Sequence, residues 1–295
     1  LKDDDMLDSR PEPITDVVSE LGECPTWDAR DGALWWVDSH APCLYRLDAA
    51  GGVRRWDMPE EIGSFALCED GRVLCALRNR LLLLDPATGA IEHFATTPND
   101  AATCRLNDGK CDRQGRFWVG TFGTAPDAPD GALYRIDPDG RVVVAIRGFV
   151  NSNGLAFPVG TESFYHSDSR SRVVYRLTPS RAPDTYVRDV VFTTSSGEHP
   201  DGAAVDSEGH YWSALYGAGA VVRVSPDGRE VARIAVPTVN PTMISFGGPD
   251  LRTLYITTAR YMTRGDLDEN DVLAGRLFAV RVATPGLPEP RFSNM

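Results

Sequence analysis

Asp31-Gly32-Ala33-Leu34-Trp35-Trp36-Val37-Asp38 sets an acidic residue and a turn glycine ahead of an apolar, aromatic strand. The order returns in Asp70-Gly71-Arg72-Val73-Leu74-Cys75-Ala76, in Gln114-Gly115-Arg116-Phe117-Trp118-Val119-Gly120 and in Glu208-Gly209-His210-Tyr211-Trp212-Ser213-Ala214. Looser copies run over Gly160-Thr161-Glu162-Ser163-Phe164-Tyr165-His166-Ser167-Asp168 and from Gly248 to Thr257. The six turn glycines stand 39, 44, 45, 49 and 39 residues apart. A second strand follows each copy in phase, as in Leu44-Tyr45-Arg46-Leu47-Asp48 and Leu133-Tyr134-Arg135-Ile136-Asp137-Pro138, and several end in Asp-Gly or Thr-Gly hairpin chemistry.

Two linked strand signals at a period of about 40–50 residues match the blade of a β-propeller. The chain shows no convincing amphipathic helix, and its 27 glycines and 21 prolines punctuate strands throughout. The expectation is an all-β, six-bladed propeller with four-stranded antiparallel blades around a central channel, one domain over residues 14–295. A β-sandwich pair would not keep the sixfold phase. Ile14-Thr15-Asp16-Val17-Val18 is expected to complete the last blade and close the ring. Residues 1–13 are expected to be a tail outside the fold.

Composition narrows the partners. The 295 residues carry a formal net charge of -12, with 42% hydrophobic residues. Phosphate recognition needs clustered Lys and Arg, so no nucleic-acid partner is expected. No apolar run reaches membrane-spanning length, and the opening Leu1-Lys2-Asp3-Asp4-Asp5-Met6 holds no apolar signal region. The six cysteines contain no C-x-x-C pair and sit largely in apolar runs. Buried free thiols in a reducing cytosol are therefore expected, not a zinc site. The long irregular stretch from Arg260 to Ala274 is either a solvated loop or a rim over the central opening.

The innermost strand of each propeller blade lines the axis, and its leading residues meet at one mouth. Counting back about ten to twelve residues from each aromatic strand reaches Glu23, Ser64, Asn107, Asn153, Asp201, and Thr242 or Met243. Asn107 to Asn153 is 46 residues and Asn153 to Asp201 is 48, so these keep blade register. A single Asn-Gly or Asp-Gly is an ordinary turn dipeptide. Several in phase at the start of the same strand form an oxygen-rich site. Two carboxylates and an amide oxygen suit a hard divalent cation such as Ca²⁺, Mg²⁺ or Mn²⁺. Arg105, two residues before Asn107, can share its face of the strand and donate to a polar ligand. His199 can line the pocket, whereas His166 lies inside an apolar strand and reads as structural. In Asn107-Asp108-Gly109-Lys110 the phase selects Asn107, leaving turn and structural roles to Asp108 and Lys110. No G-x-S-x-G elbow supports serine chemistry.

The ordered set Gly22-Glu23-Cys24-Pro25-Thr26-Trp27, Arg105-Leu106-Asn107-Asp108-Gly109-Lys110, Ser152-Asn153-Gly154-Leu155, Pro200-Asp201-Gly202 and Phe246-Gly247-Gly248-Pro249-Asp250 resembles the gluconolactonase/regucalcin (senescence marker protein 30) family. The likeness spans nearly the whole chain after residue 14. It implies a six-bladed propeller and a divalent-metal sugar lactonase. Glu23, Asn153 and Asp201 would hold the metal, and Arg105 and Asn107 would contact the lactone. Asp201 would be a ligand or also the catalytic base. Ca²⁺ is the foremost metal, with Zn²⁺, Mn²⁺, Mg²⁺ and Fe²⁺ as alternatives. Some relatives place an acidic substrate contact after the Gly-Thr pair of blade three. Here Gly120-Thr121 is followed by Phe122-Gly123-Thr124, with no acid until Asp127. The competing function is a calcium-binding regulatory protein of regucalcin type without turnover. A hydrolase of phosphotriesters or other esters would fit the same pocket. A protein-interaction propeller would have no use for inward carboxylates.

Overall fold

The structure is a computed structural model, and it describes residues 10–123, 129–260 and 271–294. Six four-stranded antiparallel sheets follow one another along the chain. Blade 1 runs Gly22–Asp28, Ala33–Asp38, Cys43–Leu47 and Val53–Asp57. The first strands of blades 2 to 6 are Ser64–Leu67, Cys104–Cys111, Ser152–Ala156, His199–Val205 and Pro241–Gly247. Each first strand packs on the first strand of the next blade, and the sixth packs on the first. The ring is closed, as the sixfold phase requires, and the described residues contain no helix.

Burial grades outward from the axis. Ser152–Ala156 and Pro241–Gly247 are buried at every position, whereas the outer strand Val53–Asp57 is almost wholly exposed. An apolar cluster fills each interface between neighbouring blades. Leu74, Phe117 and Phe292 join blades 2 and 3, and Trp212, Phe246 and Phe278 join blades 5 and 6. Blade 4 meets blade 3 through Trp118 and Phe164, with ring centroids 4.8 Å apart. A blade therefore has no core of its own and is stable only between its neighbours.

Both ends of the chain lock the ring. Glu12–Pro13 pairs with Phe278–Arg281 as the outermost strand of blade 6. This corrects the sequence expectation, which put the closing strand at Ile14–Val18 and left residues 12 and 13 in the tail. Thr15 Oγ1 accepts the Val17 N–H at 3.0 Å, a local turn that breaks strand pairing. Ile14 and Val17 pack their side chains beside Leu277 instead. Pro13 is tolerated because this strand is an edge. The C-terminal stretch crosses the far ends of the inner strands. Gly286 bridges to Asp206 and Phe292 to Cys68, while Lys110 Nζ pairs with Glu289 Oε1 at 2.8 Å. This strap covers the end of the ring opposite the strand starts. Most of the Arg260 to Ala274 stretch, residues 261–270, lies outside the described residues.

The six cysteines are free, and all but Cys104 are buried. His166 is fully buried in Phe164–Asp168, against Phe149, with its Nε2 2.6 Å from Ser152 Oγ. Burial, and then the charge of Arg188, pushes its pKa down to about 3. The folded state therefore refuses a proton that the unfolded chain takes up near the ordinary value of 6.5. Stability from this residue is complete above that value and is lost as pH falls toward 3, by an amount on the order of a few kcal/mol. Replacing His166 by Gln should lower the urea midpoint at pH 8 yet flatten its decline between pH 6.5 and 4. Parallel declines for the two proteins would contradict this assignment.

Candidate active site

Irregular pairing of the inner strands aims the polar residues at the axis. The ladder with the second strand slips between Glu23 and Thr26, Leu106 and Gly109, Asn153 and Ala156, Pro200 and Ala203, and Pro241 and Met243. The Ser64–Leu67 ladder of blade 2 alone stays in register. A bulge turns a side chain out of the strand's alternation and frees backbone groups for other partners. Gly154, just after Asn153, takes a φ of +62°. Its counterpart in blade 1, Cys24, takes +54° without being glycine, a conformation costing about 1–2 kcal/mol. The Cys24 thiol reaches Phe65 O and Gly109 O, tying blade 1 to blades 2 and 3.

The approach to two of these strands is held by matching aspartates. Asp38 accepts the N–H groups of Glu20 and Leu21, just ahead of Glu23. Asp168 accepts those of Val150 and Asn151, just ahead of Asn153. Each carboxylate closes the second strand of its own blade onto the entry to the first.

A hydrogen-bonded line then crosses three blades. Arg105 Nη1 donates to Asn107 Oδ1 at 2.8 Å, and Asn107 Nδ2 donates to Asn153 Oδ1 at 2.8 Å. Asn153 Nδ2 donates to Ser169 Oγ at 2.7 Å, and that hydroxyl donates to Pro200 O at 2.7 Å, next to Asp201. His199 is half-buried beside this line, its Nδ1 3.0 Å from Ser169 O. The structure thus links Arg105, Asn107 and Asn153 directly and delivers the line to the residue before Asp201. The Arg105 guanidinium also lies over the Phe122 ring, 5.2 Å from its centroid. Its Nε and Nη2 groups have no hydrogen-bond partner among the described residues. Asp127, the first acid after Thr121, lies outside the described residues.

Glu23 sits at the start of the blade 1 strand, within the electrostatic reach of Asp201, Asp108 and Arg105. Burial, then repulsion by Asp201 and Asp108, raises its pKa well above the ordinary carboxylate value. Asp201 is raised in the same direction by burial and by Asp108. Asp108, 6% exposed, is raised by burial, against the pull of the Leu155 N–H bond and Lys110. Sequence reasoning missed this third carboxyl because Asn-Asp-Gly reads as a turn.

Arg105 is the cation that opposes Glu23 and Asp201, Lys110 the one that opposes Asp108, and Asp108 Oδ1 has no hydrogen-bond partner among the described residues. Buried negative charge with an unsatisfied oxygen is the environment a hard divalent cation relieves. Among the described residues no three side chains drawn from His, Cys, Asp and Glu form a metal cluster. A site of Glu23, Asn153 and Asp201 therefore depends on the Asn153 amide oxygen. That oxygen can accept from Asn107 and keep a second lone pair for a cation. The residues present fit the group.

Residues 21–260 match the family model described as the SMP-30/Gluconolactonase/LRE-like region. The chain is 44% identical over 279 residues to a 6-deoxy-6-sulfogluconolactonase of Pseudomonas putida, covering 94% of this chain and 96% of that protein. It is 35% identical to a pentonolactonase of Haloferax volcanii, covering 94% of this chain and 96% of that protein. The fold is similar to that of a calcium-binding regucalcin from Agrobacterium tumefaciens, with a TM-score of 0.89 and 29% identity, covering 96% of this chain and 97% of that one. A six-bladed ring with its polar strand starts gathered at one mouth, matched over most of its length, makes this chain a member of the SMP-30/gluconolactonase/LRE-like family.

Proposed function

We propose that the chain hydrolyses a sugar lactone to the open sugar acid with the help of a divalent cation held by Glu23, Asn153 and Asp201. The lactonase names of its relatives support the reaction class. The observation that carries the site is the line from Arg105 through Asn107 to Asn153, ending beside Asp201. It joins Arg105 and Asn107 to two of the three strands that would carry ligands, those of Asn153 and Asp201.

Bound there, the cation would act as a Lewis acid on the lactone carbonyl. The remaining work falls to side chains. Water oxygen bonds to the carbonyl carbon, the bond to the ring oxygen breaks, and the ring oxygen leaves with a proton as a hydroxyl. In this reading Asp201 takes the proton from the attacking water and returns it to the ring oxygen. Burial and Asp108 raise its pKa, the direction that makes a carboxylate a better base. Coordination would lower it again, so Asp201 must balance the two roles. Asn107 fixes the direction of the Asn153 amide. Arg105, stacked on Phe122, would present to the polar end of the substrate its N–H groups that have no partner among the described residues.

Exhaustive chelation should abolish proton release from a panel of aldono- and aldarolactones, and Ca²⁺, Mn²⁺ or Zn²⁺ should restore it. Asp201→Asn should lower kcat by about 10²–10⁴-fold while Mn²⁺ is still bound, though more weakly. Undiminished turnover in metal-free protein would overturn the reading. Metal binding without turnover of any lactone would instead favour the calcium-binding role that the name of the Agrobacterium tumefaciens relative suggests.

The Arg105 N–H groups without a partner among the described residues also favour a lactone with an anionic group at its far end. The name of the Pseudomonas putida relative points to such a sulfonated sugar. Arg105→Gln should then cost the sulfonated or carboxylated lactone about 10–100 times more in kcat/KM than neutral gluconolactone, the value of one charge-assisted bond. Equal losses for charged and neutral lactones would rule out an anion-binding role.

A further inference from the structure

The peptide joining Gly154 to Leu155 is held at both ends by the two neighbouring blades. Tyr211 Oη of blade 5 donates to Gly154 O at 3.1 Å. Asp108 Oδ2 of blade 3 accepts from Leu155 N at 3.1 Å. Tyr211 is 1% exposed and Asp108 is 6% exposed, so neither bond is shared with bulk water. The peptide lies inside the slip of the blade 4 ladder, where Gly154 and Leu155 have no partners across the strand pair. Its polar groups must therefore be satisfied from outside the sheet. A methyl group at Gly154 would collide with Tyr211 Oη and Ser167 Oγ, so the clamp closes tightly on this backbone.

Asn153 immediately precedes the clamped peptide. Its side chain is fixed by Asn107 and Ser169, but the position of its Cα is set by the bulge. We infer that Asp108 and Tyr211 are positioning residues that hold this bulge and so aim the Asn153 amide oxygen at the channel axis. The inference rests on the reading of Asn153 as a metal ligand. Asp108 acts here through its accepting oxygen. Tyr211 contributes no charge, so the two residues are separable from a general electrostatic effect.

Direct titration of the metal-stripped full chain with MnCl₂ tests this. Tyr211→Phe and Asp108→Ala should each weaken Mn²⁺ binding by about 10–100-fold, the usual scale for residues that orient a ligand. Asp108→Asn keeps an acceptor for Leu155 N and should recover much of the Asp108→Ala loss. Unfolding midpoints of the metal-free proteins report damage to the fold separately. Tyr211→Phe should also lower kcat with little change in KM. Wild-type Mn²⁺ affinity in both Tyr211→Phe and Asp108→Ala, with Asn153→Ala defective, would overturn the clamp and leave the metal site standing. Wild-type affinity in Asn153→Ala would overturn the metal reading and the clamp with it.

Discussion

The molecule depends on a conflict at the starts of its inner strands. A closed ring of sheets brings those starts together, and five of them leave regular pairing there. Leaving the ladder frees side chains to face the axis but strands backbone groups in a buried place. Those groups are recovered by contacts from neighbouring blades: Asp108 on Leu155 N, Tyr211 on Gly154 O, Ser64 Oγ on Asn107 O. No blade completes its own part of the site, so the site and the closed ring stand or fall together.

The same strand starts concentrate charge that the fold does not neutralise. Asp201 and Asp108 raise the proton affinity of Glu23, Asp108 raises that of Asp201, and Arg105 is the cation opposing Glu23 and Asp201. A protein selected for stability alone would replace such a cluster with apolar side chains, which often stabilises. Three departures from local rules meet at this mouth: a non-glycine residue at positive φ in Cys24, an unsatisfied oxygen on Asp108, and a guanidinium, Arg105, with no carboxylate in contact among the described residues. Away from the mouth the ring has apolar interfaces between blades and exposed outer strands. Their coincidence with the buried carboxyls marks function more sharply than any single residue there.

Much of this was legible in the sequence because the repeat carries phase. The Asp31-Gly32 turn and its copies fix where each second strand starts, and counting back reaches Glu23, Asn107, Asn153 and Asp201 on the inner strands observed. Residues whose roles arise between blades were not legible. Asp108 looks like a turn aspartate until blade 4 packs on it, and Tyr211 looks like a core aromatic until its hydroxyl meets Gly154. Ser169 is the middle of the line across the site yet belongs to no motif. The closing strand was displaced because Thr15 turns the backbone inside the stretch that was expected to be extended. Phase records position within a blade, and it says nothing about what the next blade will press against it.

Anomalous X-ray scattering from crystals of the full chain soaked in Mn²⁺ examines the gathering of these strand starts most directly. The predicted result is one strong peak on the channel axis, about 2.0–2.6 Å from carboxylate oxygens of Glu23 and Asp201 and the amide oxygen of Asn153. A peak elsewhere, or none in crystals of protein that opens lactones, would contradict it.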